Sequence, residues 1–91
     1  MGQQQMEGGG LLTWWEEGTQ VRLEVSYPRD DRGLYKAWAL GGEGGSFLLG
    51  TLAPERGALR LARKVSRQSL LQAGCWPVTG GRVLLVYPFS T

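Results

Sequence analysis

The sequence predicts an all-β domain: a small antiparallel sandwich or partly closed barrel of about six strands, with one short helix near residues 67–73. Three observations carry this reading. Gln20 to Tyr27 alternates strictly, with Val21, Leu23, Val25 and Tyr27 on one side and Gln20, Arg22, Glu24 and Ser26 on the other. That is the pattern of a half-buried strand with one wet face. Next, three apolar-rich runs, Gly33–Leu40, Ser46–Leu52 and Ala58–Val65, are separated only by the glycine- and proline-containing segments Gly41–Gly45 and Ala53–Gly57. Short linkers of this composition join antiparallel neighbours. Finally, Arg82–Tyr87 is apolar on both sides and ends at Pro88. The alternative architecture is α+β, a single antiparallel sheet with the helix on one face.

Taken in order, residues 1–10 are rich in Gln and Gly and are expected to lack fixed structure, leaving one β domain over 11–91. Leu11–Glu16 is the first predicted strand, and Glu17 and Gly18 lie in a tight turn before the alternating strand. Trp14 and Trp15, being adjacent in a strand, must point to opposite faces. Pro28–Gly33 reads as a loop, because proline lacks the ladder N–H and Asp and Gly favour turns.

The three central runs then form a predicted meander. If each five-residue linker is a whole loop, Leu40 faces Ser46 and Leu52 faces Ala58. This register places Tyr35, Ala37, Ala39, Leu49 and Leu61 on a core face. The opposite face carries Trp38, Leu48 and Leu52, with a basic band in which Lys36 and Arg60 flank Gly50. A one-residue slip would exchange the faces. The expected layering sets the meander in one sheet and the first, second and last strands in the other.

After Val65 the pattern changes. Ser66 is suited to cap a helix start and Gly74 to take the left-handed position beyond its end, with Leu70, Leu71 and Ala73 as its buried side. Cys75–Gly81 reads as a connector. The final run, apolar on both sides, suits a central or doubly covered strand.

Charge and composition narrow the function classes. Ten basic and eight acidic residues leave a net charge of +2, too even a balance for a dedicated nucleic-acid binder. The single cysteine, Cys75, permits no internal disulfide and points to a reducing compartment. With no apolar run of the ~18–20 residues a membrane span needs and no signal-like start, the expectation is a cytoplasmic protein without membrane contact.

Histidine is absent, which removes the usual neutral-pH acid–base group and the commonest metal ligand. No Ser-His-Asp or Cys-His device can be assembled. The acids lie in predicted turns or on polar strand faces, and Asp30-Asp31 lacks the spacing of a calcium loop. Gly41–Gly45 has neither the Gly-Lys-Ser/Thr ending nor the following helix of a phosphate loop. No catalytic, metal or cofactor-binding residue is therefore assigned.

Two functional expectations remain. The first is a non-enzymatic interaction module that self-associates or binds a protein partner through an apolar sheet face containing Trp38, Leu48 and Leu52. The second is a ligand-binding domain, for carbohydrate or single-stranded nucleic acid, in which Trp38 stacks and Lys36 and Arg60 bind anions. Nucleic acid is the less favoured partner, because acidic residues accompany the basic ones.

Overall fold

In the computed structural model, which describes residues 2–42 and 44–89, the strands are β1 (Gly2–Gln5), β2 (Leu11–Glu17), β3 (Gln20–Pro28), β4 (Gly33–Gly41), β5 (Ser46–Thr51), β6 (Ala53–Glu55), β7 (Ala58–Ser66) and β8 (Val78–Pro88). The helix α1 (Arg67–Gln72) lies between β7 and β8. The strands build two antiparallel sheets, one of five in the order β1-β2-β3-β7-β6 and one of three in the order β5-β4-β8. The expected sandwich is present, and neither a closed barrel nor a single sheet is formed.

The core lies between the sheets and follows the alternation. Val21, Leu23 and Val25 of β3 are buried, as are Tyr35, Ala37 and Ala39 of β4 and Leu49 of β5. Met6, Leu12, Leu52, Leu59, Val65, Leu70, Val78 and Val83 complete it, together with Cys75. The small residues Ala37 and Ala39 leave room between the sheets for the larger side chains facing them.

The meander is corrected in its second half. The first hairpin keeps the expected pairs Leu40–Ser46, Ala39–Phe47 and Trp38–Leu48. The register then slips: Ala37 pairs with Gly50 and Lys36 with Thr51, leaving Leu49 without a partner on β4. This is a bulge, and Gly50, at φ 143°, accommodates it. The chain then leaves the sheet. The Leu52 N–H still bonds to the Tyr35 carbonyl at 2.9 Å, while its side chain is buried.

Ala53–Glu55, expected to be loop, is the strand β6. It pairs with β7 through Ala53–Arg60, Pro54–Leu59 and Glu55–Ala58. The connection shrinks to Arg56 and Gly57, both in the left-handed region at φ 51° and 80°. Two consecutive positive φ angles are what a type I′ hairpin turn requires. The five-residue linker thus hides a tight hairpin within itself, and Leu52 does not face Ala58.

Strand β7 belongs to the other layer. It pairs along its whole length with β3, from Gln20–Ser66 to Pro28–Ala58. In exchange β8, expected beside the first two strands, pairs with β4. It begins at Val78, inside the predicted connector, and it is an edge strand rather than a central one. Two-sided apolarity was the basis for a central position; in the fold that apolar surface is largely open.

The opening segment also departs from expectation. Gly2–Gln5 pairs with β2 from Gly2–Trp14 to Gln5–Leu11. Its glutamines are exposed, so the polar composition is compatible with an edge strand held by backbone bonds. Met6 is buried in the core. Glu7 then bridges to β8, its N–H bonding the Gly81 carbonyl and its carbonyl accepting from the Val83 N–H, both at 2.9 Å. This segment straps one side of the sandwich, and Gly8, Gly9 and Gly10, all at positive φ, turn the chain into β2. Met1 lies outside the described residues.

Helix α1 follows its capping signals. The Ser66 side chain accepts from the Ser69 N–H at 3.1 Å, and Gly74 takes φ 74° beyond the end. Leu70 is buried and Ala73 partly so, but Leu71 is exposed. Among the described residues no helix is long and apolar enough to cross a membrane.

Candidate interaction surface

Alternation in β4 decides what the three-stranded sheet presents outward. Tyr35, Ala37 and Ala39 point inward, so Leu34, Lys36 and Trp38 point away from the core. Leu48, paired with Trp38, is exposed on the same face. On the other side of β4, Leu84 pairs with Lys36 and Arg82 with Trp38. The outer face therefore combines Leu34, Leu48 and Leu84 with the half-buried Trp38 and Lys36. Arg82 is tied to Glu7 at 3.3 Å, whereas no ion pair to Lys36 occurs among the described residues.

Two expected members of this surface stand elsewhere. Arg60 projects from the outer face of the five-stranded sheet, where it pairs with Ser26 of β3 and Ala53 of β6. It is on the opposite side of the sandwich from Lys36, so the basic band does not form. Leu52 is in the core. The structure brings Trp38, Lys36 and Leu48 together and separates them from Arg60 and Leu52.

Arg60 instead lines a shallow groove of about 600 Å³ on the five-stranded sheet, with Arg22, Glu24, Ser26, Glu55 and Thr13 among its walls. Both signs of charge are present and no aromatic side chain lines it. It offers no stacking platform for a base or a sugar ring.

Apart from Leu48, the strongest surface feature is made of residues that the sequence reading did not single out. Among the described residues eight large apolar side chains are exposed: Leu34, Leu48, Leu84, Leu85, Val86 and Tyr87 lie on the three-stranded sheet, Phe89 directly follows β8, and Leu71 lies elsewhere. Tyr87 is 64% exposed. Solitary exposed leucines are ordinary, whereas here the exposed apolar side chains gather on one sheet and its margin. The sequence signal was present in the unbroken apolar run, and Pro88 beside it favours an edge.

At the start of β4 a polar cluster fixes the loop that precedes the strand. The Tyr35 hydroxyl donates to Asp30 Oδ2 at 2.6 Å and accepts from Arg32 Nη2 at 3.0 Å. Asp30 Oδ1 also accepts the Arg32 N–H at 3.0 Å. The hydrogen bond from Tyr35, with that from the Arg32 backbone, lowers the Asp30 pKa. The same bond to Asp30, aided by burial, raises that of Tyr35. These bonds tie Asp30 and Arg32 of the loop to Tyr35 of β4, so the cluster acts as a clamp.

Chemistry elsewhere is sparse. The Cys75 thiol is buried 3.5 Å from the Ala39 carbonyl, and burial raises its pKa, which disfavours the reactive thiolate. Asp31 sits 3.9 Å from Arg29. Among the described residues no group of three or more Cys, Asp or Glu side chains is arranged to hold a metal ion. Glu43, expected in a solvated turn, lies outside the described residues. In comparisons with known proteins, the chain matches no family model, no curated protein and no solved structure.

Proposed function

We propose that this domain is a non-enzymatic interaction module that self-associates through the three-stranded sheet and its β8 margin. The observation that carries the reading is the concentration of exposed apolar side chains there: Leu34, Leu48 and Leu84 on the outer face, continued by Leu85, Val86, Tyr87 and Phe89. Removing such a strip from water is worth about 25 cal/mol per Å² before the costs of association. Trp38, half-buried at the centre of the face, is the kind of residue that anchors such contacts.

The alternative, a carbohydrate or single-stranded nucleic-acid site built from Trp38, Lys36 and Arg60, loses its main support because Arg60 is on the far side of the molecule. A Trp38–Lys36 surface with Arg82 neutralised by Glu7 is a weak anion trap.

A dilution series followed by backbone amide chemical shifts tests the proposal. Concentration-dependent shifts should fall within the three-stranded sheet, on β8 above all, and spare the outer face of β3 and β7. Shifts confined to the five-stranded sheet, or none at all up to millimolar protein, would contradict it.

A further inference from the structure

We infer that self-association joins the β8 edges of two copies antiparallel about a two-fold axis, merging their three-stranded sheets into one of six strands. This deepens the interaction-module reading and rests on it.

The argument begins with the four sheet edges, since an unpaired row of N–H and C=O groups is a template for another strand. The β1 edge carries Gln3, Gln4 and Gln5, all exposed and polar. The β6 edge is three residues long and contains Pro54. On β5 the carbonyls of Leu48 and Leu49 accept from Arg63 Nη1 at 3.0 and 2.9 Å. Each of these edges is polar, interrupted or already engaged.

The β8 edge differs. Its first part is engaged by the strap, through the Glu7 bonds to Gly81 and Val83. That contact, an isolated bridge, shows that the backbone groups of this edge are accessible to pairing. Beyond Val83, no described residue pairs with the outer side of Leu84–Tyr87. Val86 has no partner on β4 either, because the register passes from Tyr35–Leu85 to Leu34–Tyr87. Pro88, without an N–H, closes the run.

Composition selects the occupant. An incoming strand must be apolar on both faces to cover Leu84 and Val86 together with Leu85 and Tyr87. In this chain β8 itself has that character, whereas β3 alternates and β7 carries Arg60, Lys64 and Arg63. Matching apolar pairs across the new ladder favour a second copy.

The areas agree. At the exposures of Leu84 to Tyr87 and Phe89, each copy offers roughly 500 Å² of surface before its edge backbone and neighbours are counted. A stable interface buries about 800 Å² per partner. Charge does not oppose the arrangement. Two Lys36 side chains would stand three strand spacings apart, about 14 Å, beyond the ~8 Å screening length at physiological salt. The symmetry uses up both β8 edges and leaves the Arg63-engaged β5 strands at the rims, so the assembly closes as a dimer.

Sedimentation equilibrium of the full chain, with Val86→Lys and Leu48→Lys variants verified as folded by circular dichroism, tests this. Val86→Lys should weaken dimerisation about ten-fold or more, whereas Leu48→Lys, on the far strand of the same sheet, should change it less than about three-fold. If the wild type is a monomer, both this geometry and the module reading fail. If it associates but Val86→Lys is indifferent while Leu48→Lys abolishes association, the sheets meet face to face and only the edge geometry is overturned. Should Val86→Lys not fold, amide hydrogen exchange of the wild type decides: the Leu85 and Val86 amides must slow as concentration rises, and unchanged exchange overturns the proposal.

Discussion

Tyr35 joins the core to the loop ahead of β4: its ring is buried and its hydroxyl lies between Asp30 and Arg32. Phenylalanine at this position keeps the ring and releases both polar partners, so Tyr35→Phe should lower the melting temperature and loosen the 28–33 loop. The pH dependence has two arms. Asp30 has a folded pKa below its unfolded value of about 3.9, so its stabilisation is full above that pH and is lost as the pH falls through the lowered value. Tyr35 has a folded pKa above its unfolded value of about 10, so its contribution is full below that pH and is lost as the pH rises through the raised value. Thermal melts of Tyr35→Phe against wild type should show a smaller difference at both extremes than at neutral pH. A difference independent of pH would remove the clamp from the account. In the core, Leu70→Ala should cost about 2–5 kcal/mol in denaturant unfolding, because the fully buried Leu70 fixes α1 to the sandwich.

Among the elements, the turn at Arg56-Gly57 closes the β6–β7 hairpin within the five-stranded sheet, and the strap at Met6-Glu7 ties that sheet to β8 of the other. Arg56 holds φ 51° without being glycine. Arg56→Asn supplies the residue preferred there and should stabilise the domain by about 0.5–1 kcal/mol, readable as a raised urea midpoint. A loss of stability would argue against the two-residue turn. Met6 anchors the strap, so Met6→Ala should cost about 2–5 kcal/mol and speed exchange of the Val83 amide, which bonds to the Glu7 carbonyl. Unchanged Val83 exchange would show that the strap does not need its anchor.

These elements also show what the sequence could and could not convey. β3 was legible because strict alternation has one geometric meaning, and α1 because Ser66 and Gly74 are local signals. The first hairpin was legible down to the Trp38–Leu48 pair, beyond which a bulge at Leu49 left no prior mark. The strand β6 was hidden because Pro54 and Gly57 punctuate a loop and a tight hairpin equally well. β1 was hidden because glutamines at an edge strand bury little, and composition registers burial rather than backbone pairing.

For the whole molecule, the decisive facts are non-local. Periodicity told that β7 and β8 are strands but not which sheet each joins, since pairing with β3 or with β5 satisfies the same alternation. The exchange of β7 and β8 between layers moved Arg60 across the sandwich and put the strand with the Val83–Tyr87 apolar run at an edge. The candidate site was therefore only half legible: Trp38, Lys36 and Leu48 share the outer face as expected, while Leu84, Leu85, Val86 and Tyr87 owe their importance to topology. A domain of this size has few elements with which to cover a second face, and the three-stranded sheet has only one face covered by the other sheet.

Self-association through this uncovered sheet is the central claim, and sedimentation equilibrium of the unmodified chain from micromolar to millimolar concentration tests it most directly. The account predicts a reversible monomer–dimer equilibrium that fits a single dissociation constant and does not proceed to larger species. A mass that stays monomeric throughout the range would contradict it.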